Sequence, residues 1–171
     1  MTRKLVDLFN SSCSSSVDSL TRLWLLRLLV PLGGHHGFIG NHGFHNDTLA
    51  QAVGLAGWLD SGSREFDGKQ VRAALRAQHA KAEIARSTCM APQTLTGNLE
   101  RLALLVDLTA NDCRILEFAV LLHNDRLLDD TADFLGMISS AKVIHVLSVV
   151  LDLPEPEIRV ALSAQGLLSR S

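Results

Sequence analysis

At 171 residues the chain is long enough to bury a core and suits one domain or two small ones. Apolar residues make up 47% and charged residues 20%, which excludes wholesale disorder; abundant Leu and Ala, with no Tyr, favour packed helices over a β-sandwich. The net charge of −2 splits into +3 over residues 1–97 (ten Lys and Arg, seven Asp and Glu) and −5 over residues 98–171 (six and eleven), so neither half is basic enough to predict nucleic-acid binding.

Residues 1–16 are polar and Ser-rich, without the apolar stretch of a signal peptide, and are expected to form a flexible leader. From Val17, VDSLTRLWLLRLLV reads as a helix ended by Pro31 and Gly33-Gly34. It is apolar nearly all round and interrupted by Arg22 and Arg27. That predicts a buried packing helix, with a partner- or membrane-docking surface as the alternative. The run is too short to span a bilayer. Residues 33–46 form a Gly/His loop, after which Asn46 or Asp47 caps a helix running to Val53 and stopped at Gly54. The stretch 57–68 is turn-rich, and a long helix follows from about Lys69 to Arg86. Its Lys69, Arg72, Arg76 and Lys81 make one basic face, solvated by default. The N-terminal helical part thus covers 17–86, and 87–97, STCMAPQTLTG, is the expected linker.

Beyond the linker, residues 98–165 read as a helical domain. Leu99, Leu102, Ala103 and Val106 give a first stripe at helical spacing from Asn98. Thr109 caps a second helix with Asp112 three residues on, and this helix, apolar to Leu122, is expected at the centre of the domain. Asp125 opens a third that ends at Gly136. Ser139 caps a fourth whose Val143, Val146, Leu147 and Val150 face the core. Pro154 and Pro156 fall in the first turn of a fifth, with Ile158, Ala161 and Leu162 as its stripe. Residues 166–171 are an expected exit linker.

This half repeats itself. VDLTANDCRI (106–115) and LDLPEPEIRV (151–160) share an apolar helix end, Asp-Leu, a turn and a second helix carrying Arg, at a separation of about 45 residues. The two joins have a helix-turn-helix layout. Their second helices, however, present Asn111, Asp112 and Arg114, or Glu155, Glu157 and Arg159, and phosphates repel such an acidic front. The expectation is a structural or protein-docking pair of joins, with a nucleic-acid-binding regulatory module as the alternative.

His35, His36, His42 and His45 lie within eleven residues and are the candidate metal ligands. No Cys, Asp or Glu joins them before Asp47 and their spacing matches no established ligand set, so a packed or solvated loop is expected and a metal-binding domain is the third alternative. Neither Gly-rich stretch has the order of a phosphate-cradling loop: Gly68-Lys69-Gln70 lacks the hydroxyl that holds magnesium, and no apolar strand precedes it. No catalytic residue, cofactor ligand or metal site is therefore assigned. Cys13, Cys89 and Cys113 are too widely spaced to suggest a disulfide framework, which fits a cytoplasmic protein.

The segments WLLRLLVPLGGHHGFIGNHGFHNDTLAQAVGL, NLERLALLVDLTANDCRILEFAVLLHNDRLLDDTADFLG and SSAKVIHVLSVVLDLPEPEIRVALSAQGLLSRS resemble the N-terminal helical region of certain bacterial AAA-type ATPases. The resemblance covers most of residues 22–171 and lies in apolar positions and short phrases. It implies an all-α, non-catalytic region that binds a protein substrate or adaptor for an ATP-driven module absent from these residues. ATP and Mg would belong to that module, as would any oligomerisation, and no nucleic acid or membrane partner is implied. An apolar patch around Trp24 and Leu28, or around Trp58 and Phe66, rimmed by Arg72 and Arg76, is the expected partner surface.

Overall fold

The computed structural model describes residues 18–59 and 66–163, and these form an all-α bundle of short helices with a single antiparallel bridge between Ile39 and Phe44. The expected leader, exit linker and residues 60–65 lie outside the described residues. In chain order the helices are α1 (Ser19–Leu29), α2 (His35–Phe38), α3 (Asp47–Ala52), α4 (Gly68–Ile84), α5 (Gln93–Val106), α6 (Ala110–Asn124), α7 (Arg126–Asp133), α8 (Ser140–Leu151) and α9 (Glu155–Ala161). Among the described residues, no helix is long and apolar enough to cross a membrane.

Helix α1 is the axis of the bundle. Eight of its eleven residues are buried, because α4, α7 and α8 pack around it. Such a position suits a helix that is apolar nearly all round. Each fully enclosed leucine contributes on the order of 1.5–3 kcal/mol through burial. The chain leaves α1 through Gly33, whose φ of +81° suits glycine, and Gly34, where a Cβ would sit 2.9 Å from the Leu28 carbonyl oxygen.

One apolar core runs from Trp24 through Phe38, Leu49, Val71, Ile115, Leu128 and Val150 to Ile158. The N-terminal and C-terminal helical parts therefore share a core. The linker expected at 87–97 is mostly structured, since α5 starts at Gln93 behind Pro92. Its first turns, with Thr94, Thr96 and Gly97, have low helix propensity, which hides the start in the sequence. Thr96 Oγ donates to the Pro92 carbonyl at 3.4 Å.

The expectation that α6 is central is corrected. Only Asp112, Ile115 and Phe118 of α6 are buried, and Ala119 and Val120 are exposed. Both α1 and α6 are mostly apolar, but α1 is the one enclosed on every side. Several stripes are also thinner than their spacing suggested: Val143 and Leu162 are exposed, and of the α5 set only Leu99 is buried.

The capping signals hold. Asn46 Oδ1 accepts from the Leu49 N–H at 2.9 Å, Thr109 and Asp112 form a reciprocal capping box, and Asp125 Oδ1 accepts from Leu127 at 2.9 Å. Ser139 occupies an N-cap without a side-chain hydrogen bond, and Pro156 lies in the first turn of α9.

Candidate functional site

The repeat is real in backbone terms. Asp107 ends α5 and Asp152 ends α8, both in the left-handed region, at φ 58°, ψ 41° and φ 54°, ψ 49°. In each join the Asp N–H and the following Leu N–H return to one carbonyl, that of Ala103 in the first copy and Ser148 in the second. Such an ending satisfies carbonyls that a helix C-terminus leaves open.

The joins also touch. Asn111 Nδ2 donates to Glu157 Oε2 at 2.7 Å, and an Arg114 Nη2 donates to the Leu151 carbonyl. Residues on the two would-be recognition fronts are thus engaged with one another or with a neighbouring helix end.

Arginines from three elements meet the C-terminus of α8. Arg27 Nη1, from α1, donates to the Val150 carbonyl at 2.7 Å while its Nε and Nη2 bind Glu83 at 2.7 and 2.8 Å. Arg114 caps Leu151, and Arg86 Nη1 donates to Asp152 Oδ2 at 2.8 Å. The negative end of the helix dipole and its open carbonyls explain why cations gather there. The hydrogen bonds from Arg27 hold the Glu83 carboxyl below the ordinary range, against the opposing effect of burial.

Beside this cluster a cleft of about 430 Å³ is lined by Trp24, Arg86, Cys89, Met90, Arg114 and Glu117. Burial raises the Glu117 carboxyl above its usual pKa, with Arg114 opposing. Burial, reinforced by Asp112 and Glu117, also raises the Cys113 thiol, which disfavours the nucleophilic thiolate.

Helix α5 is the poorly covered element. It packs chiefly on α6, and Leu102, Leu104, Leu105 and Val106 are all exposed. No signal in the α5 sequence alone marks this face, because an apolar helix in a sequence ordinarily reads as core.

The residues expected to form the partner surface are placed differently. Trp24 and Leu28 are buried, Trp24 edge-on against Phe118 at 5.1 Å, so a docking patch built on them is corrected: they are core, because α1 is enclosed on all sides. Trp58 and Phe66 are half-buried against the core, with Phe66 edge-on to Phe44 at 5.4 Å. Arg76 is exposed and Arg72 half-buried, and both lie near enough to His35 to help lower its pKa.

Of the four loop histidines, His35 and His36 have ring centroids 4.1 Å apart with the rings tilted by 34°, on a short helix that the glycine-rich sequence did not suggest. His35 Nδ1 donates to the Leu29 carbonyl at 2.8 Å, closing the end of α1; burial is the main cause of its lowered pKa. His42 and His45 are exposed in the following loop, and no three His, Cys, Asp or Glu side chains among the described residues are grouped to hold a metal ion.

Comparison of the chain with known protein families, with curated proteins and with solved structures finds no match.

Proposed function

We propose that this chain is a non-catalytic protein-binding region that recognises a protein substrate or adaptor, and that its docking surface is the uncovered apolar side of α5. The observation that carries this reading is the exposure of Leu104 at 87% and Leu105 at 81%, on a helix with one buried apolar residue. Adjacent exposed leucines on an ordered helix mark a surface for association. The link to an AAA-type ATPase rests on the phrase resemblance alone. The helix-turn-helix reading loses support, since Asn111 is bound to Glu157 and Asp112 is buried in its capping box.

The test is photo-crosslinking from position 104, with a benzophenone amino acid replacing Leu104 in the chain expressed in its cell of origin. A discrete protein adduct, absent when the same group replaces exposed Asn124, is expected. No adduct from a folded chain overturns the reading. Separately, the coding sequence after the Ser171 codon tests the ATPase link: a Walker motif supports it and a stop codon removes it.

A further inference from the structure

The two copies of the helix join are built alike but covered differently. With Asp107 aligned on Asp152, Leu102, Leu105 and Val106 of α5 align with Leu147, Val150 and Leu151 of α8. The α8 residues are 9%, 0% and 0% exposed, whereas the α5 residues are 40%, 81% and 45% exposed. Each helix is packed by the second helix of its own join, α6 on α5 and α9 on α8; α8 is covered in addition by α6 and by α1, an apolar helix that has no counterpart on α5.

The polar groups differ in the same way. In the second copy Arg27 donates to the Val150 carbonyl, Arg114 to the Leu151 carbonyl, and Arg86 pairs with Asp152. In the first copy the corresponding groups are the Leu105 and Val106 carbonyls and the Asp107 carboxylate. Among the described residues no side chain donates to these carbonyls and no cation pairs with Asp107. Arg159, which aligns with Arg114, turns instead to Glu155 at 3.6 Å. The α5 terminus thus combines an apolar stripe, open carbonyls at the negative end of a helix dipole and an exposed carboxylate. That set is complementary to an apolar helix carrying a guanidinium.

We infer that the Leu102–Val106 face of α5 receives a leucine-rich helix bearing an arginine, seated as α1 is seated on α8, with the guanidinium on the Leu105 carbonyl, the counterpart of the Val150 carbonyl that Arg27 meets. This rests on the protein-binding reading and adds the chemistry of the partner. The apolar stripe supplies the area, and the arginine fixes the register of the incoming helix. A helix with an acidic residue at that place is excluded by repulsion from Asp107 and the helix end.

The α1 sequence is itself the probe. Residues 18–30, fused to a soluble fluorescent carrier, are titrated with the full chain and followed by anisotropy. Saturable binding is expected, weakened at least about tenfold by Leu105→Glu in the chain and by Arg27→Glu in the fused helix, and less by Arg27→Lys. Leu105 is exposed, so its variant keeps the thermal midpoint of the parent, which circular dichroism checks. No saturable binding overturns the inference. So does binding indifferent to Leu105→Glu, the result expected if the probe displaces the resident α1. A concentration-dependent dimer of the chain that Leu105→Glu dissociates also overturns it, by making a second copy the occupant. An adduct at position 104 without binding of the α1 fusion leaves the protein-binding reading standing and removes this inference alone.

Discussion

Arg27 Nη1 donates to the carbonyl of Val150 at 2.7 Å, joining the axial helix to the C-terminus of a helix 123 residues further along the chain. The same guanidinium holds Glu83 with its other two nitrogens, so one buried side chain ties α1, α4 and α8 together.

Replacement of Arg27 by Met keeps much of the side-chain volume but leaves Glu83 and the Val150 carbonyl without their donor. The expected loss of stability is about 3 kcal/mol, at the lower end for a broken buried pair because Glu83 retains some solvent contact. Adding Glu83→Gln to Arg27→Met should recover part of that loss. Urea unfolding of the single and double variants measures both effects, and a single variant as stable as the parent contradicts the assignment.

Two partly buried carboxyls, Glu83 and Glu117, act on stability with opposite signs. Glu83 has a lowered folded pKa, so its contribution is present above the ordinary carboxylate range and is lost as pH falls through the lowered value. Glu117 has a raised folded pKa, so stability falls as pH rises from the ordinary value through the raised one. Glu117→Gln should therefore raise the urea midpoint at pH 7, and the gain should fade near pH 4. A gain that persists unchanged at pH 4 contradicts the burial argument.

His35 adds a third dependence. Its lowered pKa means the folded chain prefers the neutral ring, so this contribution is full above the ordinary histidine value and declines as pH falls below it. Titration of the His35 ring protons by NMR should give a midpoint below the ordinary histidine value. A midpoint at or above that value contradicts the burial of the ring, because the hydrogen bond to the Leu29 carbonyl acts in the raising direction.

The left-handed aspartates offer a matched pair. Asp107→Gly should stabilise by about 1 kcal/mol, because glycine adopts positive φ without the Cβ clash. Asp152→Gly relieves the same strain but loses the exposed contact to Arg86, which is worth about 0–1 kcal/mol, so its net effect should be smaller. Denaturant midpoints that place Asp152→Gly above Asp107→Gly contradict the difference drawn between the joins.

Core and surface leucines should separate cleanly. Leu28→Ala removes a fully enclosed side chain and should cost about 3–5 kcal/mol. Leu105→Ala should stay within about 0.5 kcal/mol. A large loss at Leu105 means that α5 is covered in the folded chain, and the proposed surface disappears.

Local signals in the sequence placed most of the helices, because caps and turns act over three or four residues. Asn46, Thr109 with Asp112, Asp125 and the paired Asp-Leu joins all lie where their chemistry puts them. Long-range facts stayed hidden. Little within either segment tells α1 from α6, since both are mostly apolar and packing decides which is enclosed. The ties of Arg27 to Glu83 and Val150 join residues far apart in sequence, and an arginine in an apolar run reads simply as an interruption. The α5 face was invisible for the converse reason: Leu102 and Val106 have the spacing of core residues but lack a covering helix.

The central claim is that the first copy of the join has an open seat where the second is filled. Amide chemical shifts of the isotope-labelled chain, followed while the α1 fusion is added, test it most directly. Perturbations concentrated at Asn98–Leu108, with Leu147–Leu151 unmoved, are the expected result. Shifts centred on α8, or none at concentrations that saturate anisotropy, would contradict it.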